Sequence, residues 1–367
     1  MTPAHALDSL LQEGVARGVF GGAAARVEQD GTVLFESEAG FARIEPEAER
    51  APADVGTLWD LASLTKPLAG TPLVLRLAES RLVSLEDGIA RFDDLFRKTR
   101  FDGVTLRRLL AHTAGIVDWS PLYVRGEGRA SYRKTLAELD PSGPPGRLVT
   151  YSCPGYLLLS EIAERVSGSP LDVLFREVVT TPLGLGTELL FSPDGEERAR
   201  TAGGERGDAS ERRKTAALGL SWSGFRSDVV NGEANDGNAR RRGGASLNAG
   251  LFGTARAVAA IARAFLDRDP RLLEEASFAE AVRCQTQGLN EDRGFGWALA
   301  RTVRSAGDAL APESFGHTGF TGSSVFVDPR ARRIFVLLAT RLHPDARSAE
   351  EMILFRRRFH DLAAAIS

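Results

Sequence analysis

The chain has 367 residues, of which 43% are hydrophobic and 26% charged, with a formal net charge of −3 and a pI of about 6.1. This length and composition predict one large soluble domain or two closely packed subdomains, and the small negative charge disfavours nucleic acid or an anionic membrane as a partner. The two cysteines, Cys153 and Cys284, predict neither a disulfide framework nor a cysteine-based metal site.

The N-terminal segment, residues 1–22, carries Asp8 and Glu13 and has no apolar core, so the sequence predicts no signal peptide. Nowhere do about 18 uncharged apolar residues follow one another, the length that a membrane-spanning helix needs. We therefore expect a cytoplasmic protein with no membrane or nucleic-acid partner. Neither a metal nor a cofactor is expected, and the sequence leaves the oligomeric state open.

Helical and strand patterns divide the chain into three parts, with strands at both ends and helices between them. In chain order, the predicted elements are a helix over 4–17, strands over 21–29 and 32–39, helices over about 63–80, 106–111, 132–139, 156–166, 170–179, 254–266 and 272–283, strands over 294–303, 314–317, 321–328 and 333–340, and a closing helix over 349–366. Two glycine-rich stretches, 195–214 and 231–250, are predicted loops, the first of them solvated or mobile. The arginine trio 240–242 is either solvated surface or an anion-attracting rim.

The fold class that follows is α+β, an α/β sandwich in which both chain ends build one antiparallel sheet flanked by the terminal helices. Residues 1–60 and 290–367 form the predicted sheet subdomain, and residues 61–289 a mainly helical subdomain. A binding site is expected in the cleft between them.

Ser63 and Lys66 stand three residues apart at a predicted helix start, so their side chains lie on one helix face. Pro67 marks that start, because its ring clashes with the carbonyl of Ser63 and prevents regular helix upstream. A lysine amine near its reference pKa of about 10.4 is a poor base, but desolvation can release its proton and let it activate a serine. The free N–H groups of the helix start favour an oxyanion there. On this motif alone, a plain helix cap is the alternative.

Lysine is rare in this chain, which makes Lys66 more informative than usual. Only four lysines occur among the 46 basic side chains, and arginine cannot act as a base in a protein. A second Ser-x-x-Lys, Ser131 to Lys134, lies in a polar run and is predicted to be the solvated cap of a short helix.

Two further segments supply the other parts that a serine nucleophile needs. Tyr151 precedes a Pro-Gly helix start, where its phenol can relay a proton, although packing is the plainer interpretation of a loop tyrosine. His317-Thr318-Gly319 lies in a predicted strand, and glycine there allows a ligand to approach the backbone. The N–H of Phe320 can then join that of Ser63 as an oxyanion hole.

Taken in order, Ser63-x-x-Lys66, Tyr151-Ser152-Cys153 and His317-Thr318-Gly319 resemble the three motifs of serine β-lactamases and penicillin-binding proteins. Their spacing is most similar to class C β-lactamases, family VIII carboxylesterases and D-amino-acid peptidases. Four further stretches carry the same resemblance over almost the whole chain: Trp59–Pro67, Leu109–Gly115, Pro182–Leu185 and Gly250–Thr254.

The resemblance implies a β-lactamase/transpeptidase-like fold and a two-step acyl transfer to a small ester or amide. Ser63 would be the acylated nucleophile, Lys66 its base partner and Tyr151 the proton shuttle. The N–H groups of Ser63 and Phe320 would hold the oxyanion. The predicted substrate-binding residues are Cys153, His317, Thr318 and Gly319.

Two positions depart from the family pattern. Cys153 stands where an asparagine is usual, and a thiol donates and accepts hydrogen bonds only weakly. His317 replaces the usual lysine and is expected to be only partly charged near neutrality, which weakens attraction for a penicillin-like carboxylate. Both departures argue against a dedicated β-lactamase. A softer departure is Asn248, where relatives often carry histidine, and no effect can be assigned to it.

Three functions therefore remain open: a serine esterase or amidase, a β-lactamase or D-amino-acid peptidase/transpeptidase, and a binding or sensing homologue without turnover. A Ser-His-Asp hydrolase is disfavoured, because the chain has no Gly-x-Ser-x-Gly. His112 is predicted to be structural and Asp60 a helix-start or strand-end group. Cys153 is either an oxidation-sensitive thiol or inert packing.

Overall fold

The computed structural model describes residues 2–366, which form a mixed α and β structure. The strands are β1 (Gly22–Gln29), β2 (Thr32–Arg43), β3 (Ala51–Pro52), β4 (Trp59–Asp60), β5 (Leu189–Phe191), β6 (Gly203–Arg206), β7 (Val229–Asn231), β8 (Leu251–Gly253), β9 (Ala298–Leu299), β10 (Phe315–Thr318), β11 (Ser324–Asp328) and β12 (Arg333–Ala339). The helices are α1 (Pro3–Ala16), α2 (Thr71–Glu79), α3 (Leu106–Leu110), α4 (Gly128–Ala137), α5 (Cys153–Ser167), α6 (Leu171–Phe175), α7 (Thr181–Leu183), α8 (Gly195–Ala199), α9 (Ala209–Ala217), α10 (Gly237–Arg241), α11 (Ala255–Asp267), α12 (Glu275–Val282) and α13 (Ala349–Ala364).

A seven-stranded antiparallel sheet combines the two ends of the chain, in the order β3-β2-β1-β12-β11-β10-β9. The central pairing is β1 with β12, where Val27 lies opposite Phe335. Two smaller sheets, β4-β8-β5 and β6-β7, lie in the middle of the chain. The predicted α+β class and single antiparallel sheet are therefore confirmed.

Strand β12 shows why helices cover both faces of the large sheet. All seven of its residues are buried, and successive side chains point to opposite faces. Phe335 and Leu337 pack with the apolar residues of α1 and α13, whereas Val336 and Leu338 pack with those of the middle of the chain, including α11. Such a strand needs an apolar partner on each side, which the terminal and middle helices supply.

Capping residues set the starts of several helices. Thr2 accepts a hydrogen bond from the N–H of His5 at α1, Thr105 from that of Arg108 at α3, and Thr254 from that of Ala257 at α11. Each hydroxyl satisfies an N–H that has no partner within its helix. These starts lie within a residue or two of their predicted positions.

Several sequence predictions about elements were wrong, including the loop over 231–250, which contains α10. The segment 195–214 is not a loop but contains α8, β6 and the first part of α9. Several of its polar side chains are buried and bond one another; for example, Ser210 donates to Glu205 at 2.6 Å. Each of the arginines 240–242 pairs with an acid, which argues against an anion-attracting rim, and Arg242 is buried, not solvated. Of the strand predicted over 294–303, only β9 joins the sheet, and residues 300–302 make a 3₁₀ turn.

A further wrong prediction concerns the helix over 63–80, which is regular only from Thr71. Residues 62–64 form a 3₁₀ turn and residues 66–70 a π-helical turn before α2 begins. Pro67 has no N–H and blocks regular helix before it, which accounts for the irregular turn at residues 62–64. Among residues 2–366, no helix has both the length and the apolar character needed to cross a lipid bilayer.

Candidate active site

Ser63 lies just after β4, on a turn that is held in a strained conformation. Ala62 has a φ of +46°, which is uncommon for a residue with a side chain. The N–H of Ala62 donates to the Asp60 carboxylate at 2.8 Å, and the second carboxylate oxygen accepts from both nitrogens of Asn235 at 2.8 Å. Asp60 thus ends its strand and fixes the turn that presents Ser63, in agreement with its predicted structural role.

The Lys66 amine is fully buried and directly faces the hydroxyl of Ser63. Its Nζ lies 3.2 Å from Ser63 Oγ, 2.8 Å from the carbonyl oxygen of Asn248 and 3.5 Å from Cys153 Sγ. An ammonium has three N–H bonds to donate, which matches these three acceptors. The i, i+3 spacing therefore brings the two side chains together even though this segment is not a regular α-helix.

Tyr151 enters the same site from the start of α5. Lys66 Nζ lies 4.8 Å from the centre of its ring, and Tyr151 Oη is buried with no hydrogen bond of normal geometry within residues 2–366. The segment is held on both sides by His112, whose carbonyl accepts from the N–H of Thr150 at 2.9 Å and whose Nδ1 accepts from the N–H of Ser152 at 3.0 Å. His112 is thus a structural residue, as predicted, and it orients the tyrosine.

The pKa values of these groups depend on one another. Burial lowers the pKa of Lys66, but the charges that Cys153 and Tyr151 carry when ionised act in the opposite direction, so the pKa of Lys66 ends above its ordinary value. Burial also raises the pKa of the Tyr151 phenol and of the Cys153 thiol. Desolvation is therefore not the only influence on the proton of this amine.

The segment after β10 lies against the Ser63 turn. A Cβ atom on Gly319 would lie 2.8 Å from the carbonyl oxygen of Leu61, so only glycine permits this approach. The next N–H, that of Phe320, donates no hydrogen bond within the described part of the chain. The geometry leaves this N–H available to a ligand oxygen, while the Phe320 ring is 41% exposed at the mouth of the site.

His317 lies on β10, beside Tyr151, and is not a cation. Burial lowers its pKa well below the ordinary value, and the charges of Arg293 and Lys66 act in the same direction. Its Nδ1 lies 2.8 Å from the carbonyl oxygen of Thr318, which requires a proton on that nitrogen. The expected partial charge was therefore wrong, because the side chain is only 5% exposed and is surrounded by cations.

These residues line one cavity of about 430 Å³. Its walls include seven of the eight residues predicted for catalysis, the oxyanion hole or substrate binding, namely Ser63, Tyr151, Cys153, His317, Thr318, Gly319 and Phe320. Lys66 is buried behind Ser63 and Cys153. Within residues 2–366, no group of three or more histidine, cysteine or acidic side chains could hold a metal ion.

Several residues of this cavity were not predicted from the sequence. Arg293 lies with its guanidinium 5.4 Å from the centre of the Tyr151 ring and forms an ion pair with Glu291. Lys214, from the wrongly predicted loop, lies over Phe320 at 4.3 Å from the ring centre. No local pattern marks either residue, since both reach the cavity through the packing of distant segments. The scarcity of lysine was the one available signal for Lys214.

The second Ser-x-x-Lys motif is remote from this arrangement. Ser131 and Lys134 lie inside α4, not at its cap, and Lys134 is exposed to solvent. The identical spacing thus gives a desolvated amine at one place and a solvated one at the other. Burial, not the motif, separates the two.

Comparison with known proteins extends the likeness over the whole chain. The family model described as Beta-lactamase matches residues 7–356. A protein of Escherichia coli (strain K12), provisionally named as a D-alanyl-D-alanine carboxypeptidase, is 29% identical over 345 residues, which are 87% of this chain and 74% of that protein. A similarly named protein of Salmonella typhimurium is 24% identical over 92% of this chain and 83% of its own.

Two solved structures share the fold at low sequence identity. Simvastatin synthase from Aspergillus terreus has a TM-score of 0.75 at 18% identity and covers 100% of this chain and 98% of its own. The hydrolase EstCE1, described as having promiscuous acyltransferase activity, has a TM-score of 0.72 at 21% identity with 98% of both chains covered. At these identities the likeness concerns the fold alone.

Proposed function

Because this chain belongs to the beta-lactamase family of serine hydrolases, we propose that it cleaves a small ester or amide through an acyl-enzyme on Ser63. The observation that carries the proposal is the buried Lys66 amine, 3.2 Å from the Ser63 hydroxyl oxygen. A lysine is seldom buried unless it is paired or has a function, and this one forms no ion pair within residues 2–366.

Acylation needs a place for the Ser63 proton. The Lys66 ammonium and the Tyr151 phenol share the protons of the resting site, and one proton must leave this pair before it can accept another. Ser63 Oγ then attacks the substrate carbonyl, and the N–H groups of Ser63 and Phe320 hold the resulting oxyanion. When the carbon–leaving-group bond breaks, Tyr151 returns the proton to the leaving group.

Deacylation uses the same groups with water as the nucleophile. Water attacks the acyl carbonyl and passes a proton to the Tyr151–Lys66 pair. The tetrahedral intermediate then releases the acid, and Ser63 Oγ takes the proton back. In each step the proton gained by the Tyr151–Lys66 pair balances the negative charge of the oxyanion, so the net charge of the buried site does not change. This matters because an added net charge is unfavourable in a desolvated site.

The charges around His317 favour an uncharged acyl compound over a penicillin-like carboxylate. His317 carries no charge at neutral pH, since burial lowers its pKa. Arg293 is one cation beside His317, and Glu291 accepts from it at 2.9 and 2.7 Å and offsets its charge. The thiol of Cys153 also forms only weak hydrogen bonds to an amide side chain. We therefore propose a carboxylesterase-like substrate range.

A second candidate is D-amino-acid carboxypeptidase or β-lactamase activity. The observation that favours it is the similarity to the Escherichia coli protein provisionally named as a D-alanyl-D-alanine carboxypeptidase. That enzyme class would need recognition of a free carboxylate, so this candidate depends on a role for Lys214, which also lines the cavity, or for Arg293 despite its pairing with Glu291.

A substrate panel with a chemical probe tests the proposal. The purified protein is assayed with p-nitrophenyl butyrate, nitrocefin and a D-alanyl-D-alanine peptide, and its intact mass is measured after treatment with a fluorophosphonate and with a penicillin. We expect multiple turnovers of the ester, slower or no cleavage of the other two, and one phosphonate adduct on the Ser63 peptide. Faster turnover of nitrocefin or of the peptide would favour the second candidate. Labelling without any turnover would favour a binding or sensing protein.

Replacing Tyr151 with phenylalanine should lower kcat/KM for the ester by about 10²-fold, the lower end of what a positioned acid or base contributes. In the unmodified protein, kcat/KM should rise with pH, because the Lys66–Tyr151 pair must lose a proton before it can act. Removing the phenol leaves the amine as the one group of the pair that can lose it, so the rising limb should move to higher pH. A pH series of kcat/KM for both proteins measures this.

Tyr132→Phe is the matched control for that variant. Tyr132 is also buried, and its Oη has no hydrogen-bond partner within residues 2–366, but it lies on α4. Its replacement should leave the pH profile unchanged. Equal effects of the two variants, or an unaltered profile in Tyr151→Phe, would contradict the shuttle role.

A further inference from the structure

Two buried arginines hold the turn that carries the Phe320 N–H. Arg356, on α13, donates from Nε to the carbonyl oxygen of Gly322 and from Nη2 to that of Gly319, both at 2.8 Å. Arg341, just after β12, donates from Nε and Nη2 to the carbonyl oxygen of Phe320 at 3.2 and 2.9 Å. Each side chain is only 6% exposed, so the turn is bound from within the protein.

Peptide geometry connects these bonds to the oxyanion site. The carbonyl of Gly319 and the N–H of Phe320 belong to one planar trans peptide, in which the two groups point in opposite directions. A donor that fixes the carbonyl on one side therefore fixes the N–H on the other. We propose that Arg356 and Arg341 are positioning residues that lock the peptide groups on both sides of Phe320, so that its N–H is aimed at the oxyanion formed on Ser63.

The charge of Arg356 adds to this effect. Hydrogen bonds in a chain polarise one another, so a guanidinium on the Gly319 carbonyl makes the N–H of the same peptide a stronger donor. Neither Arg356 nor Arg341 bonds a carboxylate within residues 2–366; their recorded acceptors are backbone carbonyls. Burying such charges without an acidic partner lowers the stability of the folded protein. The same charges can stabilise the negative charge that develops on a nearby oxyanion.

The same turn is also tied to the nucleophile. Thr321 Oγ1 donates to the carbonyl oxygen of Asp60 at 2.8 Å, and the Asp60 carboxylate holds the N–H of Ala62 next to Ser63. The N–H of Arg341 donates to the carbonyl of Thr321 at 2.8 Å. The two donors of the oxyanion hole are therefore parts of one hydrogen-bonded unit, which Arg356 anchors to the C-terminal helix.

The test is Arg356→Lys, and it rests on the hydrolase function proposed above. Lysine keeps the charge but lacks the planar fork that bonds two carbonyls at once. We expect kcat/KM for p-nitrophenyl butyrate to fall by about 10- to 10²-fold, less than the loss of a whole oxyanion donor. The thionoester, in which sulfur replaces the carbonyl oxygen, accepts hydrogen bonds weakly, so its rate should change by less than about 3-fold. The ratio of the ester rate to the thionoester rate should therefore fall in Arg356→Lys.

Arg358→Lys is the matched control, because Arg358 lies on the same helix but is exposed and bonds Glu13. It should leave the ratio unchanged. Arg341→Lys serves as a second variant if Arg356→Lys unfolds, as judged by its Tm, and should lower the same ratio. An unchanged ratio in a folded Arg356 or Arg341 variant would overturn the inference while leaving the hydrolase function intact. No ester turnover and no fluorophosphonate label in the unmodified protein would instead refute the function itself.

Discussion

Replacing Ser63 with alanine should lower kcat/KM for p-nitrophenyl butyrate by at least about 10⁴-fold, the order expected when a serine hydrolase loses its nucleophile. The hydroxyl is the one group at this position that can carry the acyl chain, and the oxyanion donors alone give only residual catalysis. The variant should also gain no mass from a fluorophosphonate. Steady-state rates and intact-mass spectra measure both effects.

Ser131→Ala is the control for this variant, since it alters the second Ser-x-x-Lys motif inside α4. We expect full activity and normal labelling from it. Residual activity of Ser63→Ala above the rate in buffer, or a phosphonate adduct that survives the substitution, would show that another residue is acylated.

Replacing Lys66 with methionine should lower kcat/KM by about 10³- to 10⁴-fold, toward the upper end of general acid–base effects, because Ser63 then has no basic neighbour. The rate of fluorophosphonate labelling should fall in parallel. The Tm should stay the same or rise, since an apolar side chain of similar length replaces a charge that is fully buried. A large loss of activity without loss of stability is the mark of a functional group, not a structural one.

Lys134→Met provides the comparison, as Lys134 is exposed on α4. It should change neither activity nor labelling. If Lys66→Met keeps more than about a tenth of the activity, the base must be another group, and Tyr151 would be the next to examine. If Lys66→Met instead unfolds the protein, its hydrogen bond to Asn248, at 2.8 Å, matters chiefly to the fold.

The predictions for Arg356, Arg341 and Lys66 all depend on the burial of these side chains, which local sequence indicates only in part. The Ser63–Lys66 spacing, the break at Pro67 and the glycine at position 319 could all be predicted from the sequence, because each depends on local backbone geometry. So were the fold class and the antiparallel sheet, because alternating apolar residues define strands whichever partner they meet. The division into two subdomains at residues 60 and 290, and the roles of the individual site residues, stay predictions.

The charge states of the site could not be derived in the same way. His317 was expected to be partly charged, yet burial beside Arg293 and Lys66 lowers its pKa and keeps it neutral. Desolvation was expected to favour loss of the Lys66 proton, and burial does lower the pKa of this amine, but Cys153 and Tyr151, when ionised, act in the opposite direction and the pKa ends above its ordinary value. In both cases the residue type sets the ordinary pKa, while the neighbours that shift it come from other parts of the chain.

The sequence by itself thus determined the class of fold, the family motifs and the candidate nucleophile, since these depend on short-range periodicity and spacing. Only the tertiary structure decided which charged side chains face the cavity, among them Arg293 and Lys214. It also decided that Arg341 and Arg356 form hydrogen bonds to the backbone of the turn that contains Phe320. The reason is physical: hydrogen bonds and burial at this site join residues that lie tens to hundreds of positions apart, and no local pattern records where a folded chain brings them together.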